Sequence, residues 1–329
     1  MRIVTALDLD HPVEPVLALA VSAAQRLQAE AHLLTILHHG HERVTFQASD
    51  PSLTPIPRGD TSGGWIPYPS RRAAEAPLGT MVETTTQVAE RHLAEAGDRL
   101  YKLAERFADT AVTCAVVPAT EPAQAIAAYV EAQQIDLVVM GTHARTGVRR
   151  LMVGSVAEGV LRAVSVPVLF AGPRMEPATS LETLIVCLDG SPFAEAILPL
   201  AEYVRRLRMR VIVVTALPGA SEGRASRPSD LQEGGYVRRL AQELRHHGVA
   251  AEWEVLHGDN AAEAINRFAA DTPGSVVALT THARAGMQRL LAGSVAMGVA
   301  HESIRPVLIL PPAATGRPSP GGETTATQP

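Results

Sequence analysis

A stretch of seventeen residues occurs twice in this chain, and this repeat constrains the fold more than any other feature. The copies read GTHARTGVRRLMVGSVA at 141–157 and TTHARAGMQRLLAGSVA at 280–296, and eleven of the seventeen positions are identical without a gap. Each copy is followed by an apolar run that contains a proline, Val164–Phe170 or Ile304–Leu310. An internal repeat of this length predicts two copies of one domain. A strand, a glycine loop and a helix in this order also favour a phosphate site.

The length fits this interpretation, because 329 residues suit two domains of about 150 residues each. We expect a first domain at 1–171, a linker at 172–183, a second domain at 184–311 and a disordered tail at 312–329. Asp8 and Asp189 are 181 positions apart, whereas Gly141 and Thr280 are 139 apart. The first domain therefore carries about forty extra residues, which we place at about 41–80. Loops of this length are usually functional or disordered, and both readings stay open.

Each half opens with a short β-branched run that ends in aspartate, Ile3–Asp8 or Leu184–Asp189. Strand-like and helical segments then alternate as β-α-β-α-β-α-β-α-β, with Asp10 and Pro12 expected to begin the first helix. This alternation predicts an α/β fold, with two tandem, doubly wound, five-stranded parallel sheets of the Rossmann-like, nucleotide-binding type. Ligands bind at the carboxyl ends of the strands in such sheets. One aspartate and one repeated loop per half should meet there.

Composition excludes several classes of function. The formal net charge of −5 gives no reason to expect a nucleic-acid or membrane partner. No apolar stretch approaches the roughly 20 residues of a membrane span, and no signal peptide opens the chain, so we expect a cytoplasmic protein. The two cysteines, Cys114 and Cys187, lie in strand-like runs of different halves and are interpreted as buried apolar residues rather than as a disulfide.

These residues together resemble the universal stress protein family. The resemblance rests in the first half on MGTHARTG at 140–147, GSVA at 154–157 and VPVL at 166–169. In the second half it rests on LDGS at 188–191, THAR at 281–284, GSVA at 293–296 and PVL at 306–308. It covers nearly the whole chain apart from the insert, the linker and the tail. The combination of first-strand aspartate, loop and Pro-Val strand is specific, whereas each piece alone is weak.

The resemblance implies a five-stranded α/β domain that is often dimeric. One branch of the family binds ATP through a glycine, two residues, a second glycine, nine residues and then Gly-Ser or Gly-Thr. In that branch the first-strand aspartate approaches the adenosine, and a residue that ends the second strand contacts adenine through its backbone. The loop glycines and the serine hold the phosphates and the ribose. Another branch lacks the pattern and binds no nucleotide.

Positions of this chain that match the pattern are the predicted binding residues. In the first half they are Ala6, Asp8, Ile36, Met140, Gly141, Thr142, His143, Ala144, Arg145, Gly154, Ser155 and Val156. In the second half they are Asp189, Ala216, Thr281, Gly293, Ser294 and Val295.

The chain departs from the ATP pattern in both halves. Ala144 stands where the second glycine belongs, and in the second half Thr280 and Ala283 replace both loop glycines. If position 144 needs left-handed geometry, alanine costs roughly 1–2 kcal/mol there, which weakens binding by about tenfold or more without always abolishing it. We therefore expect the first half to be the main site.

No catalytic or metal-ligating residues are predicted. The histidine cluster at 38–42 lacks regular ligand spacing, and the loop histidines have no neighbouring acid or nucleophile in sequence. The leading hypothesis is a stress-response protein that binds ATP or another adenine nucleotide, with or without Mg²⁺, as a regulatory ligand and is not an enzyme. Its proline-containing strands would pair the halves as an intramolecular pseudo-dimer, and a homodimer is also open. The alternatives are an interaction or dimerisation module that binds no nucleotide, and a weak ATPase or adenylyl-transferring enzyme.

Overall fold

The computed structural model of the protein describes residues 1–37, 55–56, 85–108, 110–142, 154–176, 180–191, 204, 207–217, 228–280 and 294–310. In the first half the elements are β1 (Arg2–Leu7), α1 (Glu14–Leu27), β2 (Glu30–Leu37), β3 (Pro55–Ile56), α2 (Thr85–Ala104), a 3₁₀ turn (Glu105–Phe107), β4 (Val112–Pro118), α3 (Pro122–Ala132), β5 (Leu137–Gly141), α4 (Ser155–Ala163) and β6 (Val168–Ala171). In the second half they are β7 (Thr183–Cys187), β8 (Arg210–Leu217), α5 (Pro228–His246), β9 (Ala251–His257), α6 (Ala261–Ala270), β10 (Ser275–Thr280), α7 (Ser294–Glu302) and β11 (Val307–Leu310).

The described strands form one sheet in the order β3-β4-β2-β1-β5-β6-β11-β10-β7-β8-β9. Five strands in each half are parallel, and the order β4-β2-β1-β5-β6 is repeated as β9-β8-β7-β10-β11. The predicted fold class is confirmed. Most of these strands read as continuous buried runs, because helices cover both faces of a parallel sheet.

The halves join through the antiparallel pair β6–β11, in which Phe170 lies opposite Val307 and Val168 opposite Ile309. The carboxyl ends of the two sets of parallel strands therefore point to opposite edges of the joined sheet. The segment that leaves β6 packs on the second half, since a Cβ atom on Gly172 would lie 3.1 Å from the carbonyl oxygens of Ala300 and Ser303.

Two hydrophobic clusters fill the faces of the sheet, and each extends through both halves. On the first face, α1, α2 and α5 bury residues such as Leu17, Leu100 and Val237. On the second face, α3, α4, α6 and α7 bury residues such as Val160 and Ile265. The face that α3 and α4 cover borders the candidate site of the first half.

The expectation for the start of the first helix is wrong. Helix α1 begins at Glu14 after Val13, with Pro15 in its first turn, and Asp10 instead donates its backbone N–H to the Asp8 carboxylate. Of the predicted insert, the structure describes only β3, which pairs antiparallel with Val112 and Thr113 of β4. None of the described helices is both long and apolar enough to span a membrane.

Candidate functional site

The carboxyl ends of β1 and β5 define the candidate site of the first half. The two strands are neighbours, with Ala6 opposite Met140. The chain leaves β1 towards β2 on one side and leaves β5 towards β6 on the other. Two residues beyond that pair, Asp8 and Thr142 follow the strands at the same edge. This is the switch point of a doubly wound sheet, where the two neighbouring connections leave a crevice.

Asp8 holds its carboxylate at this edge through local contacts. One carboxylate oxygen accepts the backbone N–H of Asp10 at 3.1 Å, and the other lies 2.9 Å from Nδ1 of His11. The Asp8 side chain is still 56% exposed. The loop after β1 therefore orients the carboxylate and leaves it accessible to a ligand. Sequence reasoning missed the role of His11, although its spacing of three residues from Asp8 was a usable signal.

Thr142 is fully buried immediately after β5. Its backbone N–H donates to the carbonyl of Ala171 at 3.1 Å, which continues the β5–β6 pairing by one residue. Within the described part of the chain, its side-chain oxygen Oγ1 is buried without a hydrogen-bond partner. A buried, unpartnered hydroxyl costs about 1–3 kcal/mol and calls for an explanation such as a missing ligand or water.

Helix α4 begins at the end of the repeated loop. Gly154 precedes it with φ −54° and ψ 148° and, as a glycine, has no side chain of its own to cap this end of the helix. The carbonyl of Gly154 accepts the N–H of Glu158 at 3.1 Å, while the first-turn N–H groups have no acceptor within the helix. These groups and the helix dipole favour an anion. Glu158 opposes this effect, but it is paired with Arg162.

An apolar wall lies beside these polar groups. Ala6, Ile36 and Met140 all pack on the cluster of the second sheet face, the face that α3 and α4 cover. Val156 of α4 packs on the same cluster, whereas Ser155 is exposed. The first half thus places the end of an apolar face, a carboxylate, a buried hydroxyl and a free helix start around one edge.

The second half repeats part of this arrangement. The backbone N–H of Ser191 donates to the Asp189 carboxylate at 3.0 Å, as the N–H of Asp10 does to Asp8. Ala216 packs on the second-face cluster, and Ser294 begins α7, where Val295 is 38% exposed. Thr280 replaces the glycine that ends β5 and is itself buried as the last residue of β10.

Five predicted binding residues lie outside the described residues, namely His143, Ala144, Arg145, Thr281 and Gly293. The departure from the pattern at Ala283 and the histidine cluster at 38–42 also lie outside them. Among the described residues, the structure brings together Ala6, Asp8, Ile36, Met140, Gly141, Thr142, Gly154, Ser155 and Val156 at one edge of the first half.

The described residues offer no reactive nucleophile at this edge. Burial raises the pKa of the Cys114 thiol to about 12 and also raises the pKa of the Cys187 thiol, so both remain protonated at neutral pH. Among the residues that the structure describes, no three His, Cys, Asp or Glu side chains cluster as a metal site would require.

Parallel α/β domains with a free helix start at the switch point belong to the class of proteins that bind ligands at the strand carboxyl ends. The sequence profile of the universal stress protein family matches residues 67–171 and 181–311. The chain belongs to the universal stress protein family, with two family domains in tandem, as the sequence resemblance predicts.

Comparison with individual proteins agrees with this assignment. A stretch of 188 residues is 26% identical to the universal stress protein Rv2005c of Mycobacterium tuberculosis, covering 54% of this chain and 62% of that protein. The chain spans less than two thirds of the length of the curated relatives it matches. The crystal structure of a universal stress protein from Archaeoglobus fulgidus has a similar fold, with TM-score 0.63 and 16% identity over 94% of this chain and 97% of that one.

One of the structures that match a shorter part of the chain contains a bound nucleotide. The structure of the universal stress protein from Archaeoglobus fulgidus in complex with dAMP is 26% identical over 39% of this chain and 96% of that chain, with TM-score 0.32. The dAMP is bound by that protein.

Proposed function

We propose that this protein is a cytoplasmic stress-response protein whose first half binds ATP or a related adenine nucleotide as a regulatory ligand. The observation that carries the proposal is the meeting of Asp8, the buried hydroxyl of Thr142 and the free start of α4 at one edge of the sheet. A phosphate-bearing nucleoside has the matching chemistry: hydroxyl donors for a carboxylate, an anion for the helix start and a flat apolar base.

Each group has an assigned role in this proposal. The Asp8 carboxylate accepts a ribose hydroxyl, and the backbone at Ile36 contacts the base beside Ala6 and Met140. The N–H groups that follow Gly154 bind phosphate oxygens, with Ser155 as an additional donor. Mg²⁺ would enter with the phosphates, because this cation is usually held by few protein ligands and by the nucleotide itself.

The halves are unequal in this proposal. Gly141 ends β5 with no side chain where the loop leaves the sheet, whereas Thr280 adds one at the same place in the second half. A phosphate loop needs close approach of backbone N–H groups. We therefore assign the main site to the first half and a weaker or absent one to Asp189, Ala216, Thr281 and the start of α7.

The pairing of β6 with β11 supports an intramolecular pseudo-dimer, in which each half is the dimer partner of the other. A further homodimer would use other surfaces. The function that we propose is binding, since the described part of the site has carboxylate, hydroxyl and N–H groups but no activated nucleophile. Any hydrolysis of ATP would be slow.

The test is direct. Small molecules released by denaturing the freshly purified protein are identified by mass spectrometry, and MgATP is titrated calorimetrically into the emptied protein. We expect up to one equivalent of adenine nucleotide, and affinity that falls in Asp8→Asn. No uptake at millimolar MgATP would contradict the proposal and favour the interaction module. Steady turnover abolished by Asp8→Asn would favour the enzyme.

A further inference from the structure

Helices α3 and α4 approach each other through a glycine that the binding pattern does not include. A Cβ atom built on Gly159 of α4 would lie 2.7 Å from the Cβ of Ala123 in α3. The second repeat has the same contact, because a Cβ on Gly298 of α7 would lie 3.1 Å from the Cβ of Ala262 in α6. The α3–α4 pair is therefore in closer contact than a Cβ atom at position 159 permits, whereas a Cβ atom at position 298 would require a shift of only a few tenths of an ångström in the α6–α7 pair.

The size of Gly159, and not its backbone freedom, explains its position. It lies inside a regular helix, where glycine is less favourable than alanine. A contact under 3 Å between two Cβ atoms cannot be kept, since apolar carbons in contact lie near 4 Å. Alanine at 159 would have to push α4 away from α3.

We propose that Gly159 is a positioning residue, which sets where the start of α4 lies relative to the ends of β1 and β5. The inference rests on the proposed function. Gly159 lies four residues, about one helical turn, after Ser155, and Ala123 lies in the first turn of α3. The contact thus lies in the first turn of α3 and one turn into α4, and a separation of the helices is transmitted to the N–H groups that follow Gly154.

A displacement of about 1 Å is enough to matter, because N–H···O hydrogen bonds weaken steeply beyond about 3.2 Å. Three or more N–H groups at a helix start move together, so none can compensate for the others. We therefore expect Gly159→Ala to lower the affinity for MgATP by about tenfold while the fold is retained.

The experiment uses the full chain and four variants. Gly159→Ala is compared with Ala123→Gly and with the double variant Ala123→Gly/Gly159→Ala, in which the new methyl group has room. Gly97→Ala is the matched control, because it places the same methyl group on α2 with nothing within 4 Å. MgATP affinity is measured by calorimetry, and the amide chemical shifts of Ser155 and Val156 are measured without ligand.

The expected result is a tenfold loss of affinity in Gly159→Ala, recovery in the double variant and no change in Gly97→Ala. The two amide shifts should move in Gly159→Ala and return in the double variant. If Gly159→Ala lowers only the melting temperature, with affinity and amide shifts unchanged, the positioning role is overturned. If the wild type itself binds no MgATP, the proposed function fails, and unchanged amide shifts would then overturn the positioning role separately.

Discussion

The two halves of this protein share strand order and register but differ in where they bury polar groups. His32 of β2 and Tyr129 of α3 form a buried hydrogen bond of 2.8 Å, and the strand register places Ile212 where the first half has His32. Conversely, the buried Val166 ahead of β6 corresponds to Arg305 ahead of β11. The same position in this fold can therefore hold an apolar side chain, or a polar side chain if hydrogen-bond or ion-pair partners surround it.

The partners of Arg305 show how such a position becomes polar. Its guanidinium is 8% exposed and lies 2.6 Å from the Glu176 carboxylate. It also donates to the carbonyls of Ala269 and Ala270, at 3.3 and 3.1 Å, near the end of α6. Carbonyls at a helix end carry partial negative charge. Glu176 comes from the segment that leaves the first half, so the second half depends on its neighbour for this buried charge.

The largest effect on this comparison is expected from Arg305→Val, which gives the second half the residue of the first. The change removes the bonds to Glu176, Ala269 and Ala270 at once, and we expect a loss of about 2–3 kcal/mol in the free energy of unfolding. Urea denaturation measures it. Arg267→Ala, which removes the exposed pair with Glu263, is the control and should cost less than about 1 kcal/mol. Equal losses would show that the burial of Arg305 is unimportant.

The next largest effect is expected on nucleotide affinity, for which the first-strand aspartates of the two halves are compared. Asp8→Asn keeps the shape of the side chain and removes its charge, so it should lower the affinity for MgATP about tenfold. Asp189→Asn makes the same change in the second half and should lower it less than about threefold. Calorimetric titration of both variants decides whether the halves are unequal, and equal effects would contradict the assignment of the main site to the first half.

Two buried hydroxyls test whether the site, and not burial alone, explains Thr142. Among the residues that the structure describes, neither Thr5 nor Thr142 has a hydrogen-bond partner for its buried Oγ1 atom. Replacement of either by valine should therefore raise the stability of the ligand-free protein by about 1 kcal/mol. Only Thr142→Val should also weaken nucleotide binding. Thr5 lies inside β1, away from the edge, and serves as the control. Unchanged binding in Thr142→Val would remove this hydroxyl from the proposed site.

The smallest effect is expected on how the free energy of unfolding depends on pH. Burial lowers the pKa of His32 below 6.5, although Glu30 at 3.6 Å acts in the opposite direction and Arg2 adds to the lowering. The unfolded chain therefore binds a proton that the folded protein does not, and stability falls as pH drops below about 6.5. The double variant His32→Ile/Tyr129→Phe introduces the apolar pair that the second half has at Ile212 and Phe268.

This variant should lose about 1 kcal/mol less stability than the wild type between pH 6.5 and 5.5. Denaturation curves at both pH values measure the difference, and subtraction removes the contributions of the other titrating groups that the two proteins share. An identical pH dependence in the two proteins would show that His32 is protonated as readily in the folded protein as in the unfolded chain.

Much of the fold was predictable because the sequence patterns that determine it involve residues close to one another in the chain. The β-branched runs Ile3–Asp8 and Leu184–Asp189 predict the strands β1 and β7, which span Arg2–Leu7 and Thr183–Cys187, to within two residues. The start of α1 was mispredicted, because the Asp8 carboxylate accepts the backbone N–H of Asp10 in the loop after β1 and the helix begins only at Glu14. A side chain that is suited to capping, such as that of Asp10, does not by itself show where a helix begins.

The candidate site was predictable in outline for a related reason. Parallel strands bring their carboxyl ends to one edge, so Asp8 and the residues after Met140 had to come near each other whatever the packing. The pairing of Asp8 with His11, the unpartnered hydroxyl of Thr142 and the contact of Gly159 with Ala123 could not be derived in this way, because each depends on distances of a few tenths of an ångström.

The sequence by itself determined that this protein consists of two parallel α/β domains of one family with a loop and a helix start at each switch point. It did so because repeats, strand-length apolar runs and turn residues act over a few neighbours. Only the tertiary structure decided which buried polar groups have hydrogen-bond partners. His32 meets Tyr129 from 97 positions away, and Arg305 meets Glu176 from 129 positions away. Such pairs depend on how segments that are distant in sequence pack against one another, and no local sequence pattern encodes that packing.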